Sequence, residues 1–211
     1  MPADFTLPRI YPITDTRVSG ISHLKQIEQL SIGGAHFIQI RDKSATSREF
    51  FESVRVCLEH RERLGVNLIV NDRVDIAMLL GADGVHLGQD DLPPAEARKI
   101  LGADAIIGFS THTIEQALEA VKLPVDYIAF GPVFTPRSKA DHEAVVGREQ
   151  LREVRKLTDG FPLVAIGGID LENLPDVFGA GADSVAMISS LLFDPLRIVE
   201  NTRNAVLFSQ D

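Results

Sequence analysis

The stretch VNDRVDIAMLLGADGVHLGQDD, residues 70–91, places a carboxylate after each of two apolar runs that are predicted to be strands. Asp72 follows the first run, and Asp91 follows the second, one predicted helix and one predicted strand later. Neighbouring parallel strands lie roughly 4.8 Å apart, so both carboxylates would reach the same edge. Mg²⁺ usually takes a few oxygen ligands from a protein and keeps positions open for water and phosphate. Together with the basic residues at other strand ends, this spacing favours a metal site, although each aspartate taken alone would favour capping. Helix capping by Asp72 and turn capping by Asp91 are the structural alternatives.

Basic residues at other predicted strand ends indicate an anionic ligand. In QIRDK, the residues Gln39, Arg41 and Lys43 alternate, so they project to one side if the chain stays extended. Lys139 follows a later strand and would reach the same mouth. Three cations around one mouth suggest a phosphate or diphosphate. A structural salt bridge is the alternative for Arg41, because a buried charge needs a partner.

Further polar residues follow the later strands. Ser110 could hydrogen-bond a polar ring substituent or make a local turn, and His112 could pack the next helix or act in the site. The segment GPVFTPRSK is long and rich in proline, which predicts a loop that covers the mouth and delivers Ser138 and Lys139. We expect this loop, residues 131–142, to be mobile without ligand and ordered when substrates are bound.

The last two strand ends favour a second anion subsite. Gly167 and Gly168 end the seventh run, and Ile188 and Ser189 end the eighth. The loops after strands seven and eight of a parallel barrel often bind phosphate through backbone N–H groups. Two anion subsites predict a reaction between two phosphorylated partners. His86, by contrast, is expected to point outward or to make a satisfied hydrogen bond rather than to face a substrate.

Elements that would position these residues alternate along the whole chain. Eight apolar runs read as buried parallel strands: 9–14, 36–41, 67–71, 83–88, 105–110, 126–131, 163–168 and 183–189. Eight amphipathic runs read as helices: 21–32, 47–64, 74–80, 94–101, 113–121, 148–157, 171–180 and 195–207. This order predicts a (β/α)₈ TIM barrel in a single domain, residues 1–211, with the site at the C-terminal rim of the strands. An open doubly wound sheet is the alternative.

Composition excludes several classes of function. The 211 residues carry a formal net charge of −9, which argues against a general nucleic-acid surface or an anionic membrane partner. No window approaches the ~20 apolar residues that span a bilayer. The single cysteine, Cys57, excludes an intrachain disulfide and is predicted to pack in a helix. With no leader-like segment at the start, the sequence predicts a cytoplasmic protein that binds no nucleic acid and no membrane.

Seven segments in this order and at these spacings resemble the thiamine-phosphate synthase family. They are QIRDK, NDRVDIA, GADGVHLGQDD, GFSTHT, DYIAFGPVF, VAIGGI and ADSVAMIS, and the similarity runs from about Ile10 to Leu192. The resemblance implies that 4-amino-2-methyl-5-pyrimidinylmethyl diphosphate joins a thiazole ethyl phosphate, which gives thiamine phosphate and diphosphate. It implies Mg²⁺ as the cofactor and the two small phosphorylated molecules as partners, and it leaves open whether the chain forms a homo-oligomer.

The resemblance also implies roles for individual residues. For the pyrimidine diphosphate it implies binding by Gln39, Arg41, Lys43, Asn71 and Lys139, with Ser110 on the pyrimidine. For Mg²⁺ it implies Asp72 and Asp91. For the thiazole phosphate it implies Pro136, Arg137, Ser138, Gly168, Ile188 and Ser189. Catalysis is then expected from Ser110, Lys139 and Arg41 by positioning and electrostatics.

Two other functions remain open at this point. The family usually has a threonine-rich loop where this chain has TPRSK. The related thiazole tautomerases often carry a serine before this lysine and use a histidine near His112 in place of metal-assisted diphosphate departure. A non-catalytic sensor of a phosphorylated ligand is the third hypothesis. Formation of thiamine phosphate from the two substrates would exclude both the tautomerase and the sensor.

Overall fold

Eight parallel strands close into a barrel in the order of the sequence. The structure is a computed structural model that describes residues 6–135 and 144–209. The strands are β1 Ile10–Thr14, β2 Phe37–Ile40, β3 Asn67–Asn71, β4 Gly84–Leu87, β5 Ile106–Thr111, β6 Tyr127–Phe130, β7 Leu163–Ile166 and β8 Ser184–Met187. Each strand pairs with the next one, and β8 returns to pair with β1. The predicted (β/α)₈ barrel is confirmed, and the open sheet is excluded by this closure.

Helices follow the strands and cover the outside of the barrel. They are α1 Thr16–Ser19, α2 His23–Ile32, α3 Ser47–Leu64, α4 Val74–Leu80, α5 Pro94–Leu101, α6 Ile114–Ala120, α7 Gly147–Leu157, α8 Leu174–Gly179, α9 Ser189–Leu192 and α10 Ile198–Phe208. All eight predicted helices are present. The short helices α1 and α9 were not predicted, because four residues are too few to show an amphipathic period. The last helix begins at Ile198, three residues after the predicted start at Pro195.

The apolar residues form two separate layers. Alternate residues of the strands fill the barrel interior, while the others pack against the helices. On β2, Phe37 faces the interior, whereas Ile38 and Ile40 pack in the outer layer, as the alternation predicts. The side chain of Gln39 also lies inside the barrel, where it meets Tyr11. The pleat of β2 therefore directs one polar residue inward, toward the mouth side of the interior.

Three aspartates at the N-terminal end of the barrel make the same set of contacts. Each lies before an even-numbered strand, accepts a hydrogen bond from a backbone N–H near the start of the preceding strand, and pairs with an arginine from a helix. The sets are Asp83 with Leu68 and Arg61, Asp126 with Ile107 and Arg98, and Asp183 with Leu163 and Arg155. This end lies opposite the C-terminal rim, so the repeated contact supports three pairs of neighbouring strands without using residues of the rim.

In the part of the chain that the structure describes, none of the helices is long and apolar enough to cross a membrane.

Candidate active site

The carboxyl groups of Asp72 and Asp91 meet at the C-terminal rim of the barrel. Asp72 follows β3, and Asp91 closes the loop after β4, where its Oδ2 accepts a hydrogen bond of 2.7 Å from the backbone N–H of Gly88. Burial, together with direct contact with the Asp72 carboxyl group, raises the pKa of Asp91. Lys43, from the loop after β2, forms an ion pair with Asp72. Two carboxylates from consecutive βα units and one cation therefore share one point of the rim.

Asp72 has a backbone conformation that favours a specific placement over a helix cap. Its φ is +62°, which is uncommon for a residue other than glycine, and its N–H donates to the carbonyl of His86 at 2.8 Å. The N-cap of α4 is the next residue, Arg73, and no side chain caps that helix. The capping alternative for Asp72 is therefore wrong. For Asp91 the turn alternative is partly right, since its carboxylate binds Gly88.

The two carboxylates fit a divalent cation that takes its remaining ligands from water and substrate. Among residues 6–135 and 144–209, no group of three or more His, Cys, Asp or Glu side chains is arranged to hold a metal ion. Burial is the largest cause of the raised pKa of Asp91, and contact with the Asp72 carboxyl group adds to it, so the two carboxylates lie close enough to share one cation. Mg²⁺ is commonly bound by one or two carboxylates, with water and substrate phosphate completing its shell. Asp72 and Asp91 are therefore the residues that could hold it.

Arg41 makes an ion pair inside the protein. Its Nη1 donates to Asp15 Oδ2 at 2.8 Å, and both side chains are 15% exposed. The other oxygen of Asp15 caps α1 by accepting from the N–H groups of Arg17 and Val18. The structural salt bridge that the sequence left open for Arg41 is thus present, and it orients the guanidinium at the end of β2. Sequence reasoning missed Asp15, whose local signal is only that of a helix cap.

A chain of buried polar side chains crosses the barrel interior and ends at Ser110. Gln39 Nε2 donates to Tyr11 Oη at 2.9 Å, and Tyr11 Oη lies 2.9 Å from Tyr127 Oη. Tyr127 Oη lies 3.0 Å from His86 Nδ1, and His86 Nε2 lies 2.8 Å from Ser110 Oγ. His86 thus points into the barrel, and both of its ring nitrogens are hydrogen-bonded. This matches the second of its two predicted orientations, a satisfied hydrogen bond. Burial lowers the pKa of His86 to about 4.

The two tyrosines were not predicted as part of the site. They are the only tyrosines in the sequence, and each lies within an apolar strand. A buried tyrosine hydroxyl needs a hydrogen-bond partner, which was the available signal. Burial raises the pKa of both Tyr11 and Tyr127, so both remain protonated donors at neutral pH. The interior of this barrel therefore contains a polar path between Gln39 and Ser110.

His112 makes hydrogen bonds within the protein at the rim. The ring of His112 donates from Nδ1 to the carbonyl of Gly131 at 2.7 Å, because a carbonyl can only accept. Its backbone N–H donates to Gln116 at the start of α6, so His112 joins the ends of β5 and β6.

Cys57 is buried in α3, and burial raises the pKa of its thiol to about 12. The predicted packing role of Cys57 is confirmed.

The ends of β7 and β8 form a glycine-rich side of the rim. Gly168 has a φ of +63°, and a Cβ at this position would lie 2.7 Å from the carbonyl oxygen of Thr135. On the neighbouring strand end, α9 begins at Ser189 after the N-cap Ile188, with no side-chain cap. Backbone groups rather than charged side chains therefore dominate this side. It lies across the rim from the carboxylates, as the order of the strands in the barrel requires.

Four predicted residues, Pro136, Arg137, Ser138 and Lys139, lie outside the described residues. The predicted mouth loop, residues 131–142, falls in this region after Thr135. The described part of the connection pairs with β7, since Val133 and Phe134 donate backbone hydrogen bonds to the carbonyls of Ile166 and Gly167.

A closed (β/α)₈ barrel with carboxylates, cations and a glycine-rich side at its C-terminal rim is typical of enzymes that act on phosphorylated small molecules. The family model described as thiamine monophosphate synthase matches residues 10–191. The chain belongs to this family.

Known relatives of the same kind cover most of the chain. It is 43% identical over 185 residues to the thiamine-phosphate synthase of Chloroflexus aurantiacus, which covers 87% of the chain and 85% of that relative. It is 44% identical over 202 residues to the thiamine-phosphate synthase of Koribacter versatilis, covering 92% and 94%. The solved structure of a thiamine phosphate pyrophosphorylase from Pyrococcus furiosus superposes with a TM-score of 0.85 at 33% identity, covering 96% of the chain and 95% of that structure.

Proposed function

We propose that this chain is a cytoplasmic thiamine-phosphate synthase that joins 4-amino-2-methyl-5-pyrimidinylmethyl diphosphate to a thiazole ethyl phosphate. The observation that carries the proposal is the meeting of Lys43, Asp72 and Asp91 at the rim where the half-buried Ser110 ends the buried hydrogen-bonded chain from Gln39. This arrangement offers charge for a diphosphate and polar atoms for a heterocycle. Family membership and the relatives' shared activity support the same reaction.

The diphosphate side of the site supplies positive charge. We propose that Lys43, Arg41 and Lys139 bind the diphosphate with Gln39 and Asn71, and that Asp72 and Asp91 hold Mg²⁺. Bound Mg²⁺ would neutralise the charge that develops on the departing diphosphate. Asn71 ends β3 and is largely buried, which places it beside Asp72. Because Arg41 is already held by Asp15, it can offer its guanidinium without first losing side-chain freedom.

The reaction needs no protein nucleophile. The bond between the pyrimidine methylene carbon and the diphosphate oxygen breaks, and the amino-pyrimidine spreads the positive charge left on the methylene. The thiazole nitrogen then donates its electron pair to that carbon, which forms the new carbon–nitrogen bond and leaves diphosphate as the second product. The protein's contribution is to hold both partners in line and to stabilise charge. Ser110 would position the pyrimidine ring for this step.

The second substrate would bind on the glycine-rich side. We propose that Gly168, Ile188 and Ser189 bind the thiazole phosphate through backbone groups, and that Pro136, Arg137 and Ser138 complete this subsite. Gly168 supports the proposal because its backbone conformation and its close approach to Thr135 leave no room for a side chain. Separate anion subsites on opposite sides of the rim allow the two phosphorylated substrates to bind together.

Incubation with both substrates tests the proposal directly. The purified protein is expected to form thiamine phosphate and diphosphate with Mg²⁺, and to lose this activity when the metal is removed by a chelator and regain it when Mg²⁺ is restored. Each substrate alone serves as the control. Isomerisation of the thiazole phosphate without coupling would instead identify a tautomerase, and binding of either ligand without turnover would identify a sensor.

A further inference from the structure

We propose that the buried chain Gln39–Tyr11–Tyr127–His86–Ser110 has a fixed hydrogen-bond direction that makes the Ser110 hydroxyl a donor toward the ligand. Tyr127 and His86 are then positioning residues for the coupling reaction. The inference rests on the proposed function only in taking the ligand of Ser110 to be the pyrimidine. The direction of the chain is a property of the protein alone.

The hydrogen-bonded chain from Gln39 to Ser110 is buried over most of its length. The exposed fractions are 1% for Gln39, 1% for Tyr11, 0% for Tyr127 and 7% for His86, whereas Ser110 is half-buried at the rim. All four links measure between 2.8 and 3.0 Å, which are ordinary hydrogen-bond lengths. In such an enclosed setting each hydroxyl proton must go to a partner within the chain, because an unsatisfied buried donor is costly.

The direction follows from the first donor. The side-chain nitrogen of Gln39 can only donate, so the Tyr11 oxygen accepts from it and the Tyr11 proton goes to Tyr127. The hydroxyl of Tyr127 then donates to His86 Nδ1. A ring nitrogen that accepts carries no proton, so the N–H of the His86 ring must be on Nε2.

The last link decides what the site recognises. His86 Nε2–H donates to Ser110 Oγ, which leaves the serine proton to donate to a ligand atom with a lone pair. A ring nitrogen of the pyrimidine is such an atom, and its exocyclic amino group is not. If the chain ran in the opposite direction, Ser110 would donate to His86 and would accept from the amino group. The chain therefore favours a heterocycle with a ring nitrogen at this point.

The strand register leaves space for the side chains of Tyr127 and His86 to meet. His86, Gly108 and Tyr127 are paired across β4, β5 and β6 in one row. A Cβ on Gly108 would lie 2.3 Å from Tyr127 Oη, a distance that real contacts do not reach. The glycine between the histidine and the tyrosine therefore lets the tyrosine ring lie across β5 and reach the imidazole. The two rings stack with their centroids 5.6 Å apart.

Nitrogen-15 NMR of labelled histidine tests the direction without substrates. The signal of His86 is assigned by its loss in His86→Asn, and its two ring nitrogens report which one is protonated. The wild type is expected to show Nε2–H. Tyr127→Phe removes the donor to Nδ1 and is expected to give a mixture of tautomers, whereas Tyr11→Phe, the matched control, leaves the Tyr127 donor in place and keeps Nε2–H. A wild-type Nδ1–H tautomer would overturn the inference.

Kinetics test the positioning role. In Tyr127→Phe we expect kcat to fall roughly tenfold, equivalent to ~1.4 kcal/mol, with an unchanged KM for the thiazole phosphate. In Tyr11→Phe the decrease in kcat should be smaller. An unchanged kcat in Tyr127→Phe would remove the positioning role. If Tyr127→Phe does not fold, the tautomer of the wild type still decides the direction. A wild type that forms no thiamine phosphate would contradict the proposed function, while the tautomer measurement would stand.

Discussion

Lys43 and Asp72 form an ion pair at the mouth of the barrel, between the loops that follow the neighbouring strands β2 and β3. The sequence assigned these residues to different ligands, the lysine to a diphosphate and the aspartate to Mg²⁺. In the structure each serves as the partner of the other. A metal at Asp72 and a phosphate at Lys43 would exchange one ion pair for two stronger interactions, so binding of the two ligands should be coupled.

Lys43→Met should therefore have opposite effects on the two ligands. Loss of a neighbouring cation makes the carboxylate pair more attractive to Mg²⁺, so we expect the metal to bind a few-fold more tightly without substrate. Loss of the same charge should weaken binding of the pyrimidine diphosphate at least tenfold. Calorimetric titration of each ligand measures both changes. Weaker Mg²⁺ binding in the variant would mean that Lys43 does not compete with the metal.

Arg41→Ala should destabilise the fold as well as reduce activity. The substitution leaves the partly buried Asp15 carboxylate without its guanidinium partner, at a cost of about 1–3 kcal/mol in the free energy of unfolding. Urea denaturation at neutral pH measures the loss. Arg17→Ala is a matched control, since Arg17 is exposed on the same short helix that Asp15 caps. Equal stability of both variants would show that the ion pair contributes nothing to the fold.

Asp126→Ala should be more destabilising than substitution of a surface acid. The aspartate is 2% exposed and receives hydrogen bonds from Arg98 and from the N–H of Ile107, so its loss leaves that N–H without its acceptor and the Arg98 guanidinium without its carboxylate partner. We expect a loss of about 3 kcal/mol or more in the free energy of unfolding. Glu119→Ala, which breaks an exposed pair with Lys122, should cost about 0–1 kcal/mol. Thermal and urea unfolding of the two variants compare these values.

Asp42 should contribute stability that disappears in acid. Burial alone would raise the pKa of this carboxyl, but hydrogen bonds from Ser44, Thr16 and Ala45 outweigh burial and lower the pKa to about 2. A lowered folded-state pKa gives stability that is present above the unfolded-state value near 4 and is lost as the pH falls toward 2.

The comparison of wild type with Asp42→Asn checks this pH dependence. The difference in their free energies of unfolding should be on the order of 2 kcal/mol at neutral pH and should shrink as the pH is lowered from 5 toward 3. Denaturant titrations across that range measure it. A difference that stays constant over the whole range would show that the charge of Asp42 is not what stabilises the loop.

Local patterns predicted the barrel, whereas contacts between distant strands had to be observed. Alternation placed Ile38 and Ile40 in the outer layer, because the two-residue period of a strand is a local property. The contact of Tyr11 with Tyr127 joins β1 to β6, and no periodicity along the chain specifies which interior side chains meet. The salt bridge of Arg41 was foreseen as an alternative, but its partner Asp15 has the local signal of a cap.

Asp72 and Asp91 are proposed to hold Mg²⁺ for departure of the diphosphate. The sharpest test is Asp91, because Asp91→Asn removes the charge while its amide oxygen can still accept from Gly88. His112→Ala is the matched variant at the same rim, since a tautomerase would depend on that histidine.

The measurement is the rate of thiamine phosphate formation against Mg²⁺ concentration, with thermal stability and thiazole-phosphate affinity measured on the same samples. Asp91→Asn and Asp91→Ala are expected to lose most coupling activity at all but very high Mg²⁺, with thiazole-phosphate affinity largely unchanged. Loss of the turn alone would instead lower stability in Asp91→Ala by roughly 0.5–2 kcal/mol without changing the Mg²⁺ dependence. Coupling activity and Mg²⁺ dependence equal to those of the wild type in Asp91→Asn would contradict the metal site.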